Sequence, residues 1–194
     1  MRVERLAAFT DGVVAIIITI MVLELKVPES GELHALLAAL PILGAYVLSY
    51  VNVGLYWNNH HHLIQTAESV DGRGLWANLF LLFWLSLVPF VIRWIGEAGF
   101  VAAPVAAYGL VLGMAAVGYH WLQYAIIEAN GGASSTLAEA LGRDRKGMWS
   151  IIGYVLAVIA AFLEPLVAIG IYVAIAAVWL IPDQRIERRL TETR

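Results

Sequence analysis

The sequence predicts an all-α membrane protein with six transmembrane helices per subunit, and three observations predict it. The first is composition. Of the 194 residues, 61% are hydrophobic and 14% charged, and the mean hydropathy is +0.77, whereas soluble domains are roughly half apolar and a quarter charged. The second is that the apolar residues fall in runs close to the ~20 needed to cross a bilayer as a helix. The third is an uneven division of the basic residues between alternating loops.

The first helix is expected over 6–25. It follows Arg2 and Arg5 and could pass for a secretory signal, but it closes on Glu24-Leu25-Lys26 rather than a small-x-small cleavage site. The second is expected over 35–57, the third over 75–95 and the fourth over 101–127. Met148 to Ile181 then reads as one run broken only by Glu164-Pro165. A single helix there would be about 50 Å long at ~1.5 Å per residue, too long for hydrocarbon about 30 Å thick. Proline disfavours helix in the residue before it and cannot continue a helix interior. Two helices, 148–163 and 166–181, joined by a tight turn, are therefore expected.

Loop charge supports that count. With six spans, the N-terminus, the second-to-third loop, the fourth-to-fifth loop and the tail share one side. They carry Arg2, Arg5, Arg73, Arg143, Arg145, Lys146, Arg185, Arg188, Arg189 and Arg194, leaving only Lys26 and Arg93 for the other side. Cytoplasmic loops are enriched in Lys and Arg, so a multi-pass protein of the cell (plasma or inner) membrane with both termini cytoplasmic is expected. A fused fifth helix would place the tail arginines outside. Residues 1–194 form a single transmembrane domain in this reading. Its longest polar stretch, Glu128 to Gly147, contains Ser-Ser-Thr-x-x-Glu, a helix N-terminus signature that suggests a short amphipathic surface helix.

Several functions are excluded. A net charge of −3 offers no basic surface for nucleic acid. The absence of cysteine removes disulfides and thiolate metal or redox chemistry. No catalytic residue is assigned, no enzymatic activity is expected, and no cofactor is called for. The chemistry must sit in or at the ends of the helices.

Ionisable residues inside a bilayer face a bundle interior or a watery cavity and are paired. Arg5 and Asp11 lie near the cytoplasmic end of the first helix. Six residues of helix separate their directions by about 120°, so they should find different partners. Tyr56 to Ile64 reads "YWNNHHHLI". Its histidines admit three readings: a metal site, a polar helix cap at the headgroups anchored by Trp57, or a hydrogen bond from one of them to the first helix near Arg5 or Asp11. Adjacent positions diverge by about 100° on a helix, which disfavours shared metal ligation.

Further along the first helix, Ile16, Ile20 and Leu23 share one face at i, i+4, i+7 spacing, with Thr19 beside them. Periodicity alone leaves open whether this stripe meets lipid, a packed core or a pore. Thr19 is expected to bond back to the Ala15 carbonyl. Gly109, Gly113 and Gly118 on the fourth helix allow close helix approach. His120 reads as a satisfied polar contact.

The opening stretch Arg5-Leu6-Ala7-Ala8-Phe9-Thr10-Asp11-Gly12 resembles the Arg-x-x-x-Phe-Ser-Asp-Gly signature of the TMEM175 family of potassium channels, with threonine in place of serine. "YWNNHH" (Tyr56 to His61) and "LWANLFLLFWLSLVPF" (Leu75 to Phe90, with Asn78 and Pro89) are similar to the same family. Together they cover the first three helices; the last three match in number and length. The resemblance implies a homotetramer whose first helix lines a central pore for permeant potassium ions. Its constriction would be built from Ile16, Thr19, Ile20 and Leu23 in place of a Thr-Val-Gly-Tyr-Gly filter, which this chain lacks. The resemblance further implies that Arg5, Phe9, Thr10, Asp11, Gly12, Trp57, His60, His61 and Asn78 form the signature and its polar network. A proton- or ion-coupled transporter of a small solute, titrating Asp11, Glu164 and the histidines, is the rival; a non-transporting scaffold is a third reading. The lack of an inverted repeat and the shortage of midplane charges weigh against the transporter.

Overall fold

The computed structural model describes residues 3–28, 30–132, 135, 138 and 145–180. Their regular structure is helical: α1 (Val3–Leu23), α2 (Leu33–Gln65), α3 (Gly72–Ser86), α4 (Val88–Ala98), α5 (Ala102–Ala129), α6 (Arg145–Ala161) and α7 (Pro165–Leu180). Because α3 and α4 follow one another as a single interrupted span, Gly72–Ala98, the architecture is that of an all-α membrane protein with six helical spans. Four spans are long and apolar enough to cross a bilayer, and α6 and α7 are shorter apolar helices. The expected surface helix between the fourth and fifth spans falls largely outside the described residues, as do the tail arginines.

Two helices differ from the sequence expectation. The second was expected over 35–57, but α2 continues to Gln65 and takes in the three histidines. Asn and His are only modestly poorer helix formers, and no glycine or proline intervenes. The helix ends where Thr66 turns its hydroxyl onto the Leu63 carbonyl at 2.8 Å. The third span is not one helix. Pro89 has no N–H to donate and its ring crowds the carbonyl four residues back, so α3 stops at Ser86 and α4 begins at Val88.

The turn at Glu164-Pro165 forms as expected. Glu164 N–H closes α6 on the Ala160 carbonyl at 2.8 Å, and its own carbonyl accepts the Val167 N–H at 3.1 Å. Its carboxylate lies 3.4 Å from the Leu166 N–H, at the positive end of α7, where an anion is favoured. Glu164 thus sits in the turn between α6 and α7, with its carboxylate at the start of α7.

Lipid tails are as apolar as leucine, so helices in a bilayer gain little from hiding apolar surface and associate through close packing and hydrogen bonds. α5 illustrates both. It lies against α3, α6 and α7. A Cβ at Gly118 would come within 3.0 Å of the Leu81 backbone, one at Gly113 within 3.1 Å of Tyr154, and one at Gly109 would strike the Tyr172 hydroxyl. Hydroxyls tie the same helices: Tyr172 donates to the Val105 carbonyl at 3.1 Å, Tyr56 to the Leu112 carbonyl at 2.8 Å, and Ser49 to the Tyr108 oxygen at 3.0 Å.

Candidate functional site on the first helix

α1 packs against α2, α3 and α4 with one face only. Leu6, Thr10, Val14, Ile17 and Met21 are buried, each three or four residues from the last, so they stack along one side of the helix. The opposite side is bare. Phe9, Gly12, Ile16, Thr19, Ile20 and Leu23 are exposed, Ile16 by 58% and Leu23 by 79%. Apart from its chain neighbours and the local backbone of α1 itself, nothing in the subunit lies within 4 Å of a Cβ placed on Gly12. The Thr19 hydroxyl donates to the Ile16 carbonyl at 2.9 Å and not to Ala15 as expected. Threonine in a helix has rotamers serving either the i−3 or the i−4 carbonyl.

The buried face is polar at its N-terminal end. Thr10, His60 and Asn78, from α1, α2 and α3, are all buried. Asn78 Nδ2 donates to Thr10 Oγ1 at 3.1 Å, and His60 Nε2 lies 2.8 Å from Asn78 Oδ1. An amide oxygen only accepts, so His60 carries its hydrogen on Nε2 and donates it to Asn78. The Thr10 hydroxyl, 3.3 Å from Asn78 Oδ1, completes the connection. A buried polar group without a partner costs free energy; here each of the three supplies the others and pins three helices at one level.

Asp11 sits beside this cluster, toward the surface. Its Oδ1 accepts the Trp57 indole N–H at 2.8 Å, and the His61 ring stacks on Trp57 with centroids 5.6 Å apart. The structure therefore brings together Thr10, Asp11, Trp57, His60, His61 and Asn78. The histidine that bonds α1 is His60, and its partner there is Thr10, neither Arg5 nor Asp11. Arg5 and Phe9 point away from the subunit, and Arg5 makes no ion pair among the described residues. Around Asp11 lies an open groove of about 890 Å³ between α1 and the end of α2, bordered by the carboxylates of Glu4, Asp11 and Glu68. Among the described residues no three His, Asp or Glu side chains converge as metal ligands would.

Sequence reasoning missed two features. One is the tyrosine pack of α2, α5, α6 and α7, in which Tyr108 and Tyr154 both lie against Tyr172. The other is an ion pair between Arg93 and Glu24. Neither has a local spacing to signal it.

The family model described as "Endosomal/lysosomal potassium channel TMEM175" matches residues 5–89. A potassium channel of Chryseobacterium sp. (strain P1-3) is 53% identical over 188 residues, covering 97% of both chains. The chain belongs to the TMEM175 family. The endosomal/lysosomal proton channel TMEM175 of Homo sapiens is 38% identical over 93 residues, 41% of this chain and 18% of that protein. The crystal structure of a lysosomal potassium-selective TMEM175 homolog from Chamaesiphon minutus shares the fold, with a TM-score of 0.79 at 22% identity over 92% of this chain and 96% of that one. The residues matched by the family model run from Arg5 to Pro89 and include Thr10, Asp11, Trp57, His60 and Asn78.

Proposed function

We propose that the chain is one subunit of a homotetrameric, potassium-permeable cation channel of the cell membrane that conducts passively, with both termini cytoplasmic. In this reading, four copies of α1 encircle the ion path. Ile16, Ile20 and Leu23 form aliphatic collars, and Thr19 lies between the first two along the axis. Arg5, Phe9 and Gly12 meet neighbouring subunits, and the open groove beside Asp11 receives part of a second copy.

One observation carries this reading. α1 is anchored along its buried face by a satisfied polar cluster, while its other face presents a continuous apolar stripe to nothing within the subunit. An isolated helix in lipid needs no such anchoring. A pore helix does, because its collars work only if their radial position is fixed. A narrow apolar ring gates by excluding water, and it favours the cation that gives up hydration more cheaply, which is potassium over sodium. The coupled-transporter alternative loses support because Glu164 sits in a turn at the start of α7 and Asp11 is engaged by Trp57.

The test is reconstitution of the purified protein in liposomes holding a potassium gradient. A potassium flux that sets the membrane potential without a co-transported ion, from particles containing four subunits, is the expected result. Strict one-for-one coupling to a second solute would overturn the channel, and a current carried by protons in place of potassium would overturn the permeant ion.

A further inference from the structure

The buried stripe of α1 ends on a charge. Three residues beyond Met21, on the same side of the helix, stands Glu24, whose side chain is only 24% exposed. Its N–H still reaches the Ile20 carbonyl at 3.3 Å, so it belongs to the C-terminal end of α1. There the unpaired carbonyls make a carboxylate unfavourable unless a cation accompanies it. The cation comes from α4. Arg93 Nη1 lies 3.6 Å from Glu24, and Arg93 Nε donates to Glu97 at 3.1 Å, one turn along α4. The guanidinium, with five donors in a rigid fork, spans a carboxylate of its own helix and one of α1. Among the described residues this is the one ion pair that joins α1 to another helix.

Its position gives it a consequence. Leu23, the outermost member of the exposed stripe, is the residue before Glu24. The rotation that turns Glu24 toward α4 is the rotation that turns Leu23 outward. α4 follows α3 across the single residue Leu87, at the break before Pro89, so Arg93 and Asn78 sit on successive segments of one span. α1 is thus held at one end by Thr10, His60 and Asn78 and at the other by Arg93.

We infer that Arg93 and Glu24 are positioning residues for conduction, and that their bridge fixes the outer end of α1 and with it the radius and occupancy of the Leu23 collar. This inference rests on the channel reading above.

Single-channel recording in planar bilayers tests it. Arg93→Gln and Glu24→Gln should each change open probability or unitary conductance by about two- to fivefold, the range in which exposed ion pairs contribute. The charge reversal Glu24→Arg with Arg93→Glu should restore wild-type behaviour, since the guanidinium, moved to α1, would then face two carboxylates on α4. Glu97→Gln leaves the bridge between α1 and α4 intact and should change conduction less than Glu24→Gln. Because the chain has no native cysteine, Glu24→Cys with Arg93→Cys can be joined by a short bis-methanethiosulfonate linker, and joining should hold the current in one state. A merely structural bridge would lower the melting temperature of the tetramer and leave unitary currents untouched, which would overturn the proposal. Wild-type currents with unaltered variants overturn the bridge alone, whereas a silent wild-type protein overturns the channel reading and this inference with it.

Discussion

α1 and α5 are both apolar helices long enough to cross a bilayer, and they are used in opposite ways. α1 is the more apolar of the two, yet a smaller share of its membrane-spanning residues is buried within the subunit than of those in α5. In a soluble protein the more apolar helix would be the more buried one. In lipid that relation lapses, because tails solvate a leucine as well as a neighbouring helix does. Burial instead follows shape and hydrogen bonding. α5 has glycines that seat Tyr154, Tyr172 and Leu81 and lies among the helices of its own subunit. α1 turns one side of its apolar surface to its own subunit, where the polar cluster of Thr10, His60 and Asn78 adds to the packing, and leaves its isoleucine and leucine stripe bare. Substitutions in α5 should therefore act on folding, and substitutions on the bare face of α1 on conduction.

The largest effect should come from α5. Gly109→Leu would drive a branched side chain through the buried Tyr172 ring, and no monodisperse protein is expected by size-exclusion chromatography in detergent. Gly109→Ala should cost about 1–3 kcal/mol, the range for overpacking a well-packed site, with part recovered by adding Tyr172→Phe, which removes the nearest of the ring-side atoms a Cβ would strike. Thermal unfolding of the purified variants reads this. If Gly109→Ala were neutral, α5 would not be a close-packed hub.

Next comes the converse on α1. Ile16→Ser changes a side chain that touches little of its own subunit, so the melting temperature should stay near wild type. Potassium conductance should rise several-fold and discrimination against sodium should relax, because a hydroxyl wets an apolar constriction. Flux assays with each ion measure both. Unchanged currents would move the constriction away from Ile16.

The cluster that anchors α1 should give an intermediate effect. Asn78→Leu removes the acceptor 2.8 Å from the His60 N–H and the amide donor to the Thr10 oxygen, leaving those two only their longer 3.5 Å contact with each other. A loss of about 1–2 kcal/mol is expected, below the upper end seen in soluble cores because helices unfolded within a membrane find other partners. A melting-temperature series across Asn78→Leu, His60→Leu and the double variant should be strongly non-additive, since each removes the same contact. Additive losses would mean that the two residues act separately.

How much of this was legible from the sequence depended on whether the signal was local. The hairpin at Glu164-Pro165 was readable because a proline, its preceding residue and a length limit all act within one turn. The end of α2 was not. Hydropathy drops at Asn58 to His62, but a helix does not stop because its residues become polar, and His60 turns inward to partners fifty and eighteen residues away. The break before Pro89 was visible as a proline but hidden in an unbroken apolar run. That Asp11 and the histidines lie at one level followed from their places near span ends. Which of them pair did not, because the choice among Thr10, Asp11 and Arg5 depends on helix rotation, which no spacing on a single strand of sequence encodes. Glu24 and Arg93 are sixty-nine residues apart, and only the packed bundle makes them neighbours.

The smallest effect expected separates the two parts Thr10 plays. Its hydroxyl bonds Asn78, and its methyl group fills space on a face where it is 1% exposed. Thr10→Ser keeps the oxygen and removes the methyl, so the loss should be about 1 kcal/mol or less, as for a single buried methyl. Thr10→Val keeps the shape and removes the oxygen, leaving the Asn78 amide donor unpaired, and should cost more, since a buried donor without a partner loses its desolvation energy outright. Side-by-side thermal unfolding of the two variants ranks them. If the valine variant were the more stable, α1 would be held chiefly by packing, and the contrast between the two helices would reduce to which face meets a neighbour.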